Sequence, residues 1–213
     1  VWHENPVVSG FTTNPTLMRK AGVTDYERFC KEVLAVTDKP VSFEVFADYI
    51  DNIERQARTI SSWGPNVYVK IPITDTKGQL LVGVIKNLHP EIKLNVTAVF
   101  TTGQVIAVSK VLHLKNPVIV SVFAGRIADT GLDPMPFIRR AKTLLVGKAE
   151  VLWASPREVL NIYQAEEAGA DIITCTPDLI KKYISLKEKD LGEFSLETVR
   201  MFYNDAKASG FEL

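Results

Sequence analysis

Four runs of this chain repeat one alternation of side chains, and that repetition restricts the fold more than any other feature. In Val41–Ala47 the apolar set Val41, Phe43, Val45, Ala47 opposes Ser42, Glu44 and Phe46. Val67–Ile73 sets Val67, Val69, Ile71 and Ile73 against Tyr68, Lys70 and Pro72. Leu94–Phe100 sets Leu94, Val96, Ala98 and Phe100 against Asn95, Thr97 and Val99, and Val118–Ala124 sets Val118, Val120, Val122 and Ala124 against Ile119, Ser121 and Phe123. Successive side chains of a strand point to opposite faces, so each run is a strand with one wholly apolar face. Those faces should pack on helices. Glu44, Lys70, Asn95, Thr97 and Ser121 are thereby collected on the common opposite face.

Three further runs, Val7–Thr13, Val151–Ser155 and Asp171–Thr176, bring the readable strands to seven. Between strands lie helical spacings: Ile50, Ile53, Ala57 and Ile60 recur every three or four residues, as do Leu80, Leu81, Val84, Ile85 and Leu88. Strand, helix and strand at this pitch give βαβ units and a parallel sheet, either open and doubly wound or closed into a barrel. Helices would cover both faces of an open sheet, where five polar groups are hard to satisfy; a barrel interior gathers them in one place. The expected architecture is therefore an α/β (β/α)₈ barrel as one domain over residues 1–213. It ends in a short helix near Asp178–Tyr183 and a C-terminal helix near Ser195–Ala208.

Twenty-five Lys and Arg balance 25 Asp and Glu, so no overall field favours nucleic acid or an anionic membrane. Apolar runs such as Val118–Ala124 fall far short of the ~20 residues of a membrane span. Cys30 and Cys175 make no metal spacing, and a cytoplasmic location is the expectation.

Lys70 interrupts a core strand, where lysine is among the rarest residues. One reading is a lysine that snorkels outward or forms a structural ion pair with Glu44. The other is an amine nucleophile, because desolvation disfavours an ammonium and leaves free amine to attack a carbonyl as an imine forms. Glu44 could then move protons directly or through a water, and Asn95 and Thr97, two apart on one face, could hold substrate hydroxyls or that water. A candidate anion pocket follows later strands. Arg126 comes after Val118–Ala124, and Ser155-Pro156-Arg157 is expected to open a helix with Ser155 as N-cap and Pro156 at N1.

Gly10–Thr16 (Gly-Phe-Thr-Thr-Asn-Pro-Thr), Val69–Pro72 (Val-Lys-Ile-Pro), Asn95–Thr97, Ser121–Ile127 and Ala154–Arg157 together resemble the transaldolases, in the family's order. The resemblance implies a (β/α)₈ barrel with neither a metal nor an organic cofactor. It makes Lys70 the Schiff-base lysine, Glu44 the carboxylate acting through a water, and Asn95 and Thr97 the residues that order the intermediate. It also makes Thr12 and Asn14 substrate contacts, sets Ser121 and Phe123 facing the sugar, and assigns Arg126, Ser155 and Arg157 to phosphate.

The implied reaction moves a dihydroxyacetone unit from fructose 6-phosphate to erythrose 4-phosphate, giving sedoheptulose 7-phosphate, in a homo-oligomer. A sibling group acts as a fructose-6-phosphate aldolase and usually carries Gln and Tyr where this chain has Glu44 and Phe123. A catalytically silent sugar-phosphate-binding barrel is the alternative from another class. Family members begin with a strand bearing an acid/base Asp that nothing in Val1–Pro6 matches. The expectation is a longer gene product that supplies this strand and a helix ending at Val1–Asn5; otherwise the base lies among Glu44, Asp48 and Asp129.

Overall fold

The computed structural model describes residues 2–113 and 116–211, so Val1, read above as part of a helix end, lies outside the described residues. Two compact units divide the chain, Val1–Thr174 and Cys175–Leu213. Among the described residues the first carries seven strands: β1 (Phe11–Thr12), β2 (Val41–Glu44), β3 (Val67–Pro72), β4 (Leu94–Val99), β5 (Val118–Val122), β6 (Glu150–Trp153) and β7 (Ile172–Ile173). All neighbours pair in parallel, and their spatial order follows the chain from β1 to β7. The chain returns through α1 (Pro15–Lys20), α2 (Tyr26–Leu34), α3 (Ile50–Ser61), α4 (Val82–Leu88), α5 (Thr102–Ser109), α6 (Ala124–Asp129), α7 (Met135–Leu145) and α8 (Leu160–Glu167). The architecture is the expected α/β fold of the (β/α)₈-barrel type. Among the described residues, β1 and β7 are the sheet's edges.

Two apolar clusters separate as the alternation requires. The larger joins Val41, Phe43, Val69, Ile71, Val96, Val120 and Trp153 to Ile53, Ala57 and Ile60 of α3, Ile85 and Leu88 of α4, and Ile138 and Leu145 of α7. The smaller, Tyr68, Ile119, Leu152 and Ala154 with Phe123 and Ile172, fills the other face. α3, α4 and α7 thus each bury one stripe against the sheet's outer face. One position departs: Val99 joins the outer cluster instead of facing Asn95's side. The β4–β5 register shifts between Val96 and Val99, and Ala98 has φ 58°, so a bulge turns the strand by one residue.

Side-chain bonds reveal that the sheet is curled. Asn95 on β4 donates from Nδ2 to Ser42 Oγ on β2 at 3.0 Å, across the intervening β3. The Lys70 ammonium on β3 donates to the carbonyl of Thr13, just past β1, at 3.2 Å. Strands two apart in a flat sheet are separated by about 9.5 Å, so these contacts require a concave inner face.

The edge strands are shorter than the sequence runs because each has a single partner. Before β1, Val7 N–H donates to Asn5 Oδ1, and Lys39 Nζ donates to the carbonyls of Asn5 and Val8, which draws this segment away from the ladder. Trp2–Asn5 form a turn closed by Asn5 N–H to Trp2 carbonyl, not a helix end. The second unit holds α9 (Pro177–Leu186), capped by Thr176, and α10 (Leu191–Ala208), capped by Asp190. No described helix is long and apolar enough to cross a membrane.

The end of β6 meets the start of α6 through a close backbone approach. Gly125 N–H donates to the Ala154 carbonyl, and a Cβ at Gly125 would lie 1.6 Å from the carbonyl oxygen of Ser155. Gly125→Ala should therefore destabilise the protein by about 1–3 kcal/mol in urea unfolding through overpacking; an unchanged midpoint would show that this junction yields freely.

Candidate active site

The parallel register sets Glu44 of β2 opposite Lys70 of β3, both on the inner face. Lys70 is 8% exposed, and its ammonium donates to Glu44 Oε2 at 3.1 Å as well as to the Thr13 carbonyl. Removing an ammonium and a carboxylate from water is costly, and each is tolerable only with a partner in place. The contact suits both readings of Lys70, a resting ion pair and an amine with a proton acceptor at hand.

Beside this pair the inner face carries a chain of neutral bonds. Ser121 Oγ donates to Asn95 Oδ1 at 2.7 Å, while Asn95 Nδ2 donates to Ser42 Oγ. Asn95 pairs in register with Lys70, so the amide is held next to the ammonium's strand position. Thr97 is 1% exposed, and its hydroxyl has no hydrogen-bond partner among the described residues. Most buried polar groups are satisfied, and one left unpaired on the inner face, two residues along β4 from Asn95, suits a hydroxyl or water of the reacting complex.

The substrate-side expectations divide. Thr12 lies exposed on β1, and Asn14 Oδ1 accepts from Leu17 N–H at 2.8 Å, capping α1 with Pro15 at its start. The Phe123 ring lies 5.5 Å from that of Phe100, and the Arg126 guanidinium lies 5.3 Å from its centroid. The cation–π contact fixes Arg126 over the ring.

Ser155 does not cap a helix. It has φ 63°, and α8 begins only at Leu160 with Val159 as its cap. The N–H groups of Arg157 and Glu158 donate instead to Asn161 Oδ1 at 2.7 and 3.3 Å. The left-handed turn at Ser155 brings its carbonyl over Gly125, an approach that an extended cap residue would not make. The free helix-end amides expected here are therefore replaced by an Asn161-bound loop. Arg157 Nε donates to Asp129 Oδ1 at 3.0 Å, and Nη2 also bonds this carboxylate. Arg157 holds the Asp129 carboxyl below its usual range, chiefly by hydrogen bonding. Asp48 is engaged too, accepting from Thr76 N–H and Oγ1, and these bonds likewise lower its proton affinity.

The Lys70–Glu44 pair and the Ser42–Asn95–Ser121 chain thus lie side by side on the inner face, with Thr97 on the same strand as Asn95, while Phe123 and Arg126 stack together on the β5–α6 side. Gly125 places that segment against Ser155. Sequence reasoning passed over Ser42, the second partner of Asn95, although its parity with Glu44 marked it as inward. It also passed over Thr13 and Asp129's partnership with Arg157.

The Transaldolase/Fructose-6-phosphate aldolase family matches residues 2–213. The chain belongs to this family. Its relatives include a protein of Listeria monocytogenes named probable transaldolase 2, 37% identical over 190 residues that span 87% of this chain and 83% of that one. Probable transaldolases of Thermoplasma volcanium and Methanococcus maripaludis are 35% and 33% identical, each over 87% of this chain and over 82% and 84% of their own. Among solved structures, inosine 5′ monophosphate dehydrogenase from Legionella pneumophila shares the fold alone. It aligns with TM-score 0.55 and 12% identity over 81% of this chain and 58% of its own.

Thr97 offers a separation of folding from function. Its hydroxyl bonds none of the described residues, so Thr97→Val removes an uncompensated desolvation cost and should leave stability unchanged or raise it by about 1 kcal/mol. Loss of turnover in a fully stable Thr97→Val protein is the expected pairing. A large loss of stability would mean that the hydroxyl has a structural partner.

Proposed function

We propose that the protein transfers a dihydroxyacetone unit from a ketose phosphate to an aldose phosphate through an imine on Lys70. The observation that carries this reading is the inward, nearly buried Lys70 amine 3.1 Å from the Glu44 carboxylate, in a chain of the transaldolase/fructose-6-phosphate aldolase family. The Lys70 nitrogen attacks the ketone carbon, and the carbinolamine loses water as protons pass through Glu44, directly or by way of a water. The C3–C4 bond then breaks as the C4 hydroxyl loses its proton. The electron pair moves into the protonated imine, releasing an aldose phosphate and leaving an enamine. Addition of that enamine to the acceptor aldehyde reverses the step, and hydrolysis frees Lys70.

Asn95 and Thr97 order the intermediate and its water, and Thr12, Asn14, Ser121 and Phe123 contact the sugar. Arg126, Ser155 and Arg157 receive the phosphate, with Arg157 exchanging or sharing its Asp129 partner. The substrates on this reading are fructose 6-phosphate and erythrose 4-phosphate, with sedoheptulose 7-phosphate as product. A homo-oligomer is the assembly that the resemblance implies. A cytoplasmic location belongs to the same reading.

Borohydride added with fructose 6-phosphate should fix a mass adduct on the peptide containing Lys70. A folded protein that stays unlabelled, or is labelled at another lysine, would return Lys70 to a structural ion pair in a silent barrel. Glu44 and Phe123 favour transfer over release of free dihydroxyacetone. Sedoheptulose 7-phosphate should therefore form from fructose 6-phosphate plus erythrose 4-phosphate faster than dihydroxyacetone forms from fructose 6-phosphate alone. Phe123→Tyr should shift this ratio toward cleavage by adding a hydroxyl that can bond a water near the intermediate. The opposite order in the wild type would make the protein a fructose-6-phosphate aldolase.

A further inference from the structure

The β1–β2 ladder runs out one step before it reaches the site. Phe11 N–H donates to the Pro40 carbonyl and Thr13 N–H to the Ser42 carbonyl, so the next bond should run from residue 15 to the Glu44 carbonyl. Residue 15 is Pro15, which has no N–H to give. The phenol of Tyr26, on α2, takes its place and donates to the Glu44 carbonyl at 2.8 Å. On the other side of the same peptide, Val45 N–H donates to the Lys70 carbonyl at 3.0 Å. The peptide that follows Glu44 is therefore clamped from both directions. Its plane sets the direction in which the Glu44 side chain leaves the strand.

We infer that Tyr26 is a positioning residue for the Glu44–Lys70 pair, standing in for the backbone donor that Pro15 removes. The inference rests on the imine reading above and extends it to a residue that touches neither substrate nor Lys70. The Tyr26 ring is itself fixed, edge-on to Phe46 at 5.4 Å and beside Trp63 at 5.9 Å, so its hydroxyl arrives at a set place. Burial raises the proton affinity of the phenol, and it remains a donor throughout the neutral range.

The test uses the full chain as wild type, Tyr26→Phe, and Tyr26→Phe combined with Pro15→Ala, which restores an N–H at residue 15. Loss of the hydroxyl should lower kcat with fructose 6-phosphate, and the rate of borohydride trapping, by about tenfold while KM stays within about twofold, as expected for a misaimed group. Amide exchange at Val45 should quicken in Tyr26→Phe. The double variant should recover most of both effects, which a loss of ring packing could not produce because both variants keep the ring. Wild-type trapping and Val45 exchange in Tyr26→Phe, or a double variant no better than the single one, would overturn the inference. Absence of trapping in the wild type would instead sink the imine reading, and the Val45 exchange would still decide whether Tyr26 clamps the peptide.

Discussion

A lysine ammonium enclosed by protein must be met by acceptors, and the curl of the sheet is what brings them to Lys70. Lys70 stands above an apolar plug of Tyr68, Ile119 and Leu152 on the sheet's inner face, with Glu44 and the Thr13 carbonyl as its recorded partners. Thr13 belongs to the segment after β1, two strands away, so the contact exists only because the sheet bends. The same bend lets Asn95 touch Ser42. Curvature, burial and polar satisfaction are thus one constraint seen from three sides, with a half-satisfied version costing more than an apolar core.

Much of this was legible in the sequence because a strand's alternation is a local property. The parity of Val67–Ile73 alone put Lys70 opposite the helix layer, and the repetition in three other runs put Glu44, Asn95 and Ser121 with it. The choice of a barrel over an open sheet came from counting polar groups on one face, a global argument that still uses only local patterns. The identities of Asn95's partners were half visible: Ser121 and Ser42 were both inward, but only the curl says which side chains reach each other.

The misreadings have a different origin. Ser155-Pro156 carries the composition of a helix start, yet the chain there is shaped by Gly125, which lies in another βα unit and admits the Ser155 carbonyl where any Cβ would exclude it. Asp129 and Arg157 are 28 residues apart, and their pairing depends on two neighbouring crossovers meeting. Tyr26, partly buried on α2, carries no signal of its own in the sequence. What gives it a role is a proline elsewhere, in a ladder whose register no local pattern specifies. Each of these is a contact between segments, so sequence spacing carries no trace of it.

The bulge at Ala98 separates the strand floor from the loop above it. Below, Asn95 and Thr97 keep the parity set by pairing with β3; above, Val99 and the Phe123 backbone restart the pairing with the opposite phase. A residue gained or lost beyond Val99 therefore changes the rim without rotating the two side chains beneath. The rim after β4 can consequently change length while the polar floor beneath keeps its orientation.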